Sequence, residues 1–503
     1  MLSFQQQIDL HPYLLLSITL FSLYYLSKWL CKKPSNKRVP PSPPKLPILG
    51  NLHQLSVTIH HSLQSLGAKY GPLMLLYLGK VPVMIVQSAD GAAEILKKHD
   101  LIFADKPRSR TTRRLFYDLK DISVAPYGEY WRKLKSLCVL QLLSGKMVQS
   151  FNSIREEETA LLMEEIKSRC LSCSPVNLSD LFEIMTNNVV CRAAFGKKYS
   201  EEESGKRFLM LLRETLELLG SSISIGEFIP WLSWINRVNG FNTRVDKVAD
   251  EVDGFLELVV QEHLNGGEES VGDENRESFV DILLNIYKDN DAGIHIGRDS
   301  IKAIILDILA GGTDTTSATL EWAMTELLRH PIILKKLQTG VREILGDKQE
   351  VTNEDLVRMQ YLKAVVKETL RLHPPVAVLA RVAREDATVM GYDVACGTMV
   401  LINTWAIGRD PASWDEPEVF RPDRFLNSSV DFKGLDLELI PFGAGRRGCP
   451  GIAFAMASVE LVLANLVHRF EWKLEEELDI TELPGTTIRK KYPLLAVATH
   501  CYL

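Results

Sequence analysis

The stretch Pro441–Gly451, reading PFGAGRRGCPG ahead of a long helical pattern, constrains this 503-residue chain more than any other. Cys449 is flanked by Gly448, Pro450 and Gly451 and faces a helix start. Free N–H groups and the positive end of the helix dipole stabilise a thiolate there. A thiolate on a loop whose glycines permit close approach makes a good single ligand for a haem iron. Arg447 is placed to meet a propionate, and Phe442 to pack against the loop and shield the sulfur. The same loop satisfies G-x-G-x-x-G through Gly443, Gly445 and Gly448, a dinucleotide-binding pattern. That reading predicts a strand before the loop and a βαβ repeat around it. The loop instead lies near the C-terminus, with Pro450 just behind it.

The helical pattern from about Asp299 to Arg329 carries a second constellation, Ala310-Gly311-Gly312-Thr313-Asp314-Thr315-Thr316. Two glycines inside a helix cost roughly 1 kcal/mol each relative to alanine. Bare backbone offsets this if it lets a flat cofactor and a small ligand come close. Asp314 and Thr315 then supply a carboxylate and a hydroxyl at one level, the pair that proton delivery to dioxygen requires. The rival reading is small residues easing a helix crossing, with Thr315 bonding back to a carbonyl. A third set is Glu368 and Arg371, three apart on one helix face. Arg424, within Phe420–Phe425, offers a second guanidinium.

These windows resemble the cytochrome P450 family. Phe442–Gly451 matches its ligand signature F-x-x-G-x-R-x-C-x-G, and Gly311–Thr316 its oxygen-activation motif. Glu368–Arg371 matches its E-x-x-R helix, and Pro422–Phe425 its Pro-Glu/Asp-Arg-Phe segment. The order Asp314, Glu368, Arg424, Cys449 follows the family over the whole body. The resemblance implies a mainly α fold with a small β portion and a haem b held through Cys449. It implies a buried cluster of Glu368, Arg371 and Arg424. Trp131–Lys135 resembles the family's W-x-x-x-R, so Trp131 and Lys135 are expected at a propionate, although lysine lacks the bidentate fork of arginine. Arg381 is the other expected propionate partner. Two prolines usual in the family are missing between Pro375 and Arg381, so Val376 through Ala380 shape an unusual pocket edge.

The activity so implied is monooxygenation: one atom of O2 enters a small hydrophobic substrate, and the other leaves as water. NADPH supplies electrons only through a partner, cytochrome P450 reductase, with Lys133 and Arg446 as candidate contacts. Pocket residues are expected from the 103–125 loop, the region around 208–232, the Ile304–Thr316 helix, 376–381 and the Thr486-Thr487 turn. They include Phe116, Leu309, Gly312, Val376, Val378 and Thr487. The proline-rich hinge and the Phe425–Gly451 stretch look like plant microsomal A-type enzymes, which oxidise coumarins and other phenolics, terpenoids or alkaloids. Two alternatives differ in chemistry. A haem-thiolate dehydratase or isomerase, acting for example on oximes, would need no reductase. A dehydrogenase would bind NAD(P) on the Gly443–Gly448 loop.

The N-terminus reads as a membrane address. Leu10 to Leu30 is apolar apart from His11, a few hydroxyls and Lys28, about the ~20 residues a hydrocarbon core needs. Tyr24, Tyr25 and Trp29 suit the interface, and Lys28, Lys32, Lys33, Lys37 and Arg38 keep the following body in the cytosol. The expected division is an anchor at 1–33, a proline-rich hinge at 34–50 and a haem-thiolate catalytic domain at 51–503. This gives a single pass through the endoplasmic reticulum membrane. A net charge of −6 argues against a nucleic-acid partner. Eight cysteines are too few for a disulfide scaffold, and Cys170-x-x-Cys173 stands without a partner pair. Leu73–Leu78 and Val81–Val86 around Gly79-Lys80 predict a hairpin. Helical spacing runs from Val459 to Phe470. His60 and His61 are expected to be exposed.

Overall fold

A helix that is apolar on nearly every side is stable only when other elements surround it. Arg298–Arg329 (α8) is such a helix: it is buried from Ser300 through Leu306 and again from Thr316 to Leu328. The computed structural model describes residues 15–17, 19–20, 22–23, 38–171, 174–199, 203–220, 225–265, 277–289, 296–474 and 477–500. Around α8 lie α1 (Ile59–Tyr70), α2 (Glu129–Leu137), α3 (Asn152–Leu171), α4 (Leu178–Phe195), α5 (Glu203–Gly220), α6 (Phe241–Leu264) and α7 (Phe279–Lys288). They are followed by α9 (Pro331–Leu345), α10 (Gln360–Leu372) and α11 (Ile452–Arg469). α8 packs most extensively on α4, and α11 packs on α8, α9 and α3. One apolar cluster joins α2 to α11, whereas α1 packs in a separate cluster against residues 74–85. The fold is mainly helical with small sheets.

The β portion flanks the helices. β1 (Leu73–Leu78) and β2 (Val81–Val86) pair antiparallel from Leu73↔Val86 to Leu78↔Val81. Gly79 between them has φ 60, the positive value a mirrored two-residue hairpin turn requires. β2 then runs parallel to β7 (Met399–Asn403), which is antiparallel to β4 (Val378–Val382). β5 (Ala387–Val389) and β6 (Tyr392–Val394) form a small ribbon. β8 (Phe470–Lys473) and β3 (Val176–Asn177) flank β11 (Leu495–His500). β9 (Glu482–Leu483) pairs with β10 (Arg489–Lys490). Phe470, expected at the end of the α11 pattern, opens β8 instead; as an aromatic it fits either element, and pairing with His500 decides.

The described part of the hinge lies along the sheet. Leu75 N donates to Pro41 O at 2.9 Å, and Asn51 N to Tyr77 O at 2.6 Å. Within 1–33 the described residues are helical and exposed; the rest of the expected anchor lies outside the described residues, as does Cys173. Among the described residues one helix, α11, is long and apolar enough to cross a membrane, and 67% of that stretch is buried in the protein. The expectation for His60 is corrected. His60 is 6% exposed and its Nε2 lies 2.7 Å from Glu482 Oε2, a partner 422 positions away that turns this face of α1 inward.

Candidate active site

Two left-handed glycines build the turn before Cys449. Gly443 and Gly445 have φ of 69 and 67. A Cβ on Gly445 would stand 2.4 Å from Leu96 O, so only glycine serves there. The loop folds back until Cys449 N donates to Phe442 O at 2.9 Å, and Phe442 packs edge-on against Phe432. Gly451 N donates to Cys449 Sγ at 3.3 Å. Lost hydration pushes the Cys449 thiol up, while the Gly451 N–H, Lys135 and Lys106 pull it down. Yet Cys449 is open to water-sized molecules, so its sulfur faces an internal cleft rather than packed protein. Residues 431–444 form turns, not a strand. The dinucleotide reading therefore lacks the strand–turn–helix unit it needs.

Beside the thiol stands an excess of positive charge. Arg381 is 2% exposed and donates from Nη1 to Ala380 O at 2.9 Å. Arg447 is buried, stacks on Trp131 with its Cζ 4.1 Å from the ring centre, and donates from Nε to Ala104 O at 2.7 Å. Trp131 Nε1 donates to Ile122 O at 2.9 Å. Lys135 Nζ reaches Gly448 O at 2.6 Å, next to the cysteine. Lys106, which the sequence reading did not single out, completes the set. Lost hydration, then Arg381 and Arg447, lower its pKa to about 7. Lost hydration likewise lowers both arginines to about 10. Among the described residues none of these four cations is ion-paired. Arg381 and Arg447 are buried and Lys106 and Lys135 half-buried; uncompensated charge so poorly hydrated is costly, and a ligand carrying two carboxylates relieves it. A soft thiolate ligand, a cleft in front of it and cations for two propionates together fit a haem.

α8 supplies a second wall. Gly311 is exposed in mid-helix, and no atom stands within 4 Å of where its Cβ would be. Thr315, one turn on, donates from Oγ1 to Gly311 O at 2.6 Å, the back-bond of the rival reading. Gly312 is a correction: its Cβ would meet Val190 Cγ2 of α4 at 3.0 Å. It eases the α8–α4 crossing instead of lining the pocket. The two glycines thus divide the two readings between them. Asp314 is buried and ion-paired with Arg489 of β10. Arg489 in turn reaches Glu183 Oε2 at 3.1 Å, and Glu183 holds Arg213 at the surface. Arg489 lies outside every motif, so local pattern gave no signal for it.

Glu368, Arg371 and Arg424 stand together. Glu368 accepts from Arg371 Nε at 2.7 Å and Nη2 at 2.8 Å, and from Arg424 Nε at 3.0 Å. Arg421 N adds a fourth bond at 2.7 Å. Glu368 and the Arg371 side chain are wholly buried. Arg371 ties the cluster to Gly408 O and Pro417 O, at 2.6 Å each. Of the pocket residues, Phe116 and Leu309 are buried in the helical core. Val376 and Val378 are half-buried. Ile488 N donates to Pro375 O at 2.8 Å, which brings the turn carrying Thr487 against the 376–378 segment. Lys133 and Arg446, the candidate reductase contacts, pair with Glu129 at 3.0 Å and Asp100 at 3.1 Å.

The cytochrome P450 family model matches residues 40–496. "Cytochrome P450 71A8" of Mentha piperita is 57% identical over 489 residues, covering 96% of this chain and 94% of that protein. "Tabersonine/lochnericine 19-hydroxylase" of Catharanthus roseus is 48% identical over 92% of this chain and 93% of its own. "Norfluorocurarine oxidase" of Strychnos sp is 45% identical over 96% of each. A zebra fish cytochrome P450 solved with progesterone superposes with a TM-score of 0.76 at 26% identity, over 88% of this chain and 99% of that one.

Proposed function

Because the chain belongs to the cytochrome P450 family, and is thereby a haem-thiolate monooxygenase, we propose that it hydroxylates a small hydrophobic plant specialised metabolite. The overall balance is RH + O2 + NADPH + H⁺ → ROH + H2O + NADP⁺, and we propose that cytochrome P450 reductase passes on the two electrons. Bound haem supplies the redox chemistry that splits dioxygen. Every other part falls to side chains. Cys449 ligates the iron, with the Gly451 N–H holding its sulfur. Arg381, Arg447, Lys106 and Lys135 take the propionates, Trp131 braces Arg447, and Phe442 shields the sulfur. Thr315, whose hydroxyl now bonds Gly311 O, would be the group that holds and hands on a proton on the pocket side, and Asp314 would connect it to solvent.

The observation that carries oxygenation over dehydration is the intact Asp314–Thr315 pair beside the opening at Gly311. Haem-thiolate dehydratases often lose this pair, some plant oxime dehydratases keep it, and the relatives named hydroxylase and oxidase add weight to oxygenation. For the substrate, support comes from the half-buried apolar Val376 and Val378, and from relatives named tabersonine/lochnericine 19-hydroxylase and norfluorocurarine oxidase. The proposal includes an endoplasmic reticulum membrane anchor at 1–33, a hinge at 34–50 and a catalytic body from 51, and the apolar run Leu10–Leu30 followed by Lys32, Lys33, Lys37 and Arg38 supports it. The deciding experiment screens phenolics, terpenoids and alkaloids with and without reductase under ¹⁸O2. A product carrying one ¹⁸O only with reductase supports the proposal. Reductase-independent, unlabelled product supports the dehydratase. Replacing Lys133 and Arg446 by glutamate should raise the reductase needed for half-maximal turnover at unchanged haem content; unchanged demand removes them from that interface.

A further inference from the structure

The mechanism leaves one acidic pair unused, the buried Asp121 and the half-buried Asp307. Asp307 stands on α8 two turns before Asp314, and its Oδ2 accepts from Ile122 N at 2.7 Å and Ser123 N at 3.3 Å. Asp121, 0% exposed, accepts through Oδ2 from the same Ser123 N at 3.1 Å and from Val124 N at 2.8 Å. Two carboxylates therefore share one N–H, and Asp121 Oδ1 is buried with no hydrogen-bond partner. Like charges so close do not both ionise cheaply away from water, and one retained proton between them resolves the conflict.

The loop they grip connects to the cofactor wall. Ile122 O accepts from Trp131 Nε1 at 2.9 Å and from Arg447 Nη1 at 3.4 Å. Ala125 O accepts from Arg447 Nη2. Just upstream, Tyr117, Asp118 and Leu119 have φ of 50, 56 and 65. Three successive non-glycine residues in the left-handed region form a strained stretch that persists only where neighbours hold it. Its outer clamps are surface contacts: Lys120 to Asp299 at 2.6 Å and Tyr130 Oη to Ser300 Oγ at 3.1 Å. The inner clamp is the acidic pair.

We propose that Asp307 is a positioning residue of this enzyme: with Asp121 it fastens the loop Asp121–Ala125 to α8 and so sets how long a ligand stays in the pocket. This rests on the reading of that loop as a pocket edge beside the haem. Burial and the neighbouring Asp121 hold the Asp307 carboxyl well above the usual carboxylate range. The other charged or titratable groups turned towards it are Tyr130, Lys135 and Cys138 from α2 and its extension, and Lys106. As pH rises and the pair loses its shared proton, two charges face each other under the loop and the grip weakens.

The test follows 4-phenylimidazole leaving the haem pocket of the full-length holoenzyme, by stopped-flow absorbance, from neutral to alkaline pH. Wild type should release it faster as pH rises. Asp307→Ala should release it about 10-fold faster at neutral pH, because the loop loses two bonds to an acidic group. Asp307→Asn, whose amide oxygen still accepts from Ile122 N, should return close to the wild-type rate and lose the alkaline acceleration. Asp121→Asn should lose that acceleration too. Wild-type release from Asp307→Ala overturns the proposal. So does an Asn variant as fast as Ala, or one that keeps the alkaline acceleration. The carbon monoxide spectrum separates the two failures: absence of a thiolate band in wild type defeats the haem reading, whereas a normal band with unchanged release rates defeats only this one.

Discussion

Arg489 on β10 is ion-paired with Asp314 in the middle of α8, 175 positions earlier in the chain. The carboxylate meant to serve oxygen chemistry is thus held by a C-terminal hairpin, and Glu183 and Arg213 extend the chain of charges to the surface. Asp314 also meets Arg489 where Ser317 Oγ stands 3.4 Å from the guanidinium. The pair fixes where the acid points and links it to solvent.

Arg489→Gln should therefore do two things. It leaves the buried Asp314 without its cation and Glu183 with Arg213 alone, a loss of about 2–3 kcal/mol after discounting for partial exposure. Urea unfolding measures that. It also disorders the acid, so less of the NADPH consumed should appear as product and more as hydrogen peroxide. Unchanged product per NADPH would show that Arg489 only stabilises the fold.

Glu368→Gln halves the acceptor strength that Arg371 and Arg424 share. With both guanidinium groups packed near Trp414 and out of water, the cost is about 3–5 kcal/mol. Little haem-containing protein should accumulate, and haem per polypeptide by pyridine haemochrome reads this directly. Wild-type haem content would contradict a structural role for the cluster.

Lys106 gives the haem-free protein a defined pH dependence. Its folded-state pKa is lowered to about 7 from 10.5. Between those values the unfolded chain binds more protons than the folded one, so stability rises with pH across that window. Below about pH 7 the folded chain carries the full cost of the buried charge. Urea midpoints of apoprotein should climb from pH 7 towards pH 10, and Lys106→Gln should flatten the climb. Bound haem should flatten it too, because a propionate partners the ammonium. An apoprotein with no climb removes Lys106 from the propionate set.

What could be read from sequence was what short patterns encode. Gly79-Lys80 between alternating apolar runs defined the β1–β2 hairpin, and its register begins and ends where the pattern does. The Cys449 loop was legible because glycines at 443 and 445 answer a local backbone need. Long-range packing left no such trace. Lys106, Arg489 and Asp307 acquire their meaning from partners on other elements. Spacing alone did not tell which side of α8 each glycine faces, so Gly312 was assigned to the pocket while Val190 fills the space beside it. His60 was misjudged for the same reason, since Glu482 comes from the far end of the chain.

The account rests on a thiolate from Cys449 holding haem in the cleft it faces. The reduced, carbon monoxide-bound difference spectrum of wild type and Cys449→Ala tests this most directly. The wild-type protein should show a Soret band at ~450 nm that the variant lacks. A folded wild-type protein without that band, or a variant that keeps it, would contradict the assignment of Cys449.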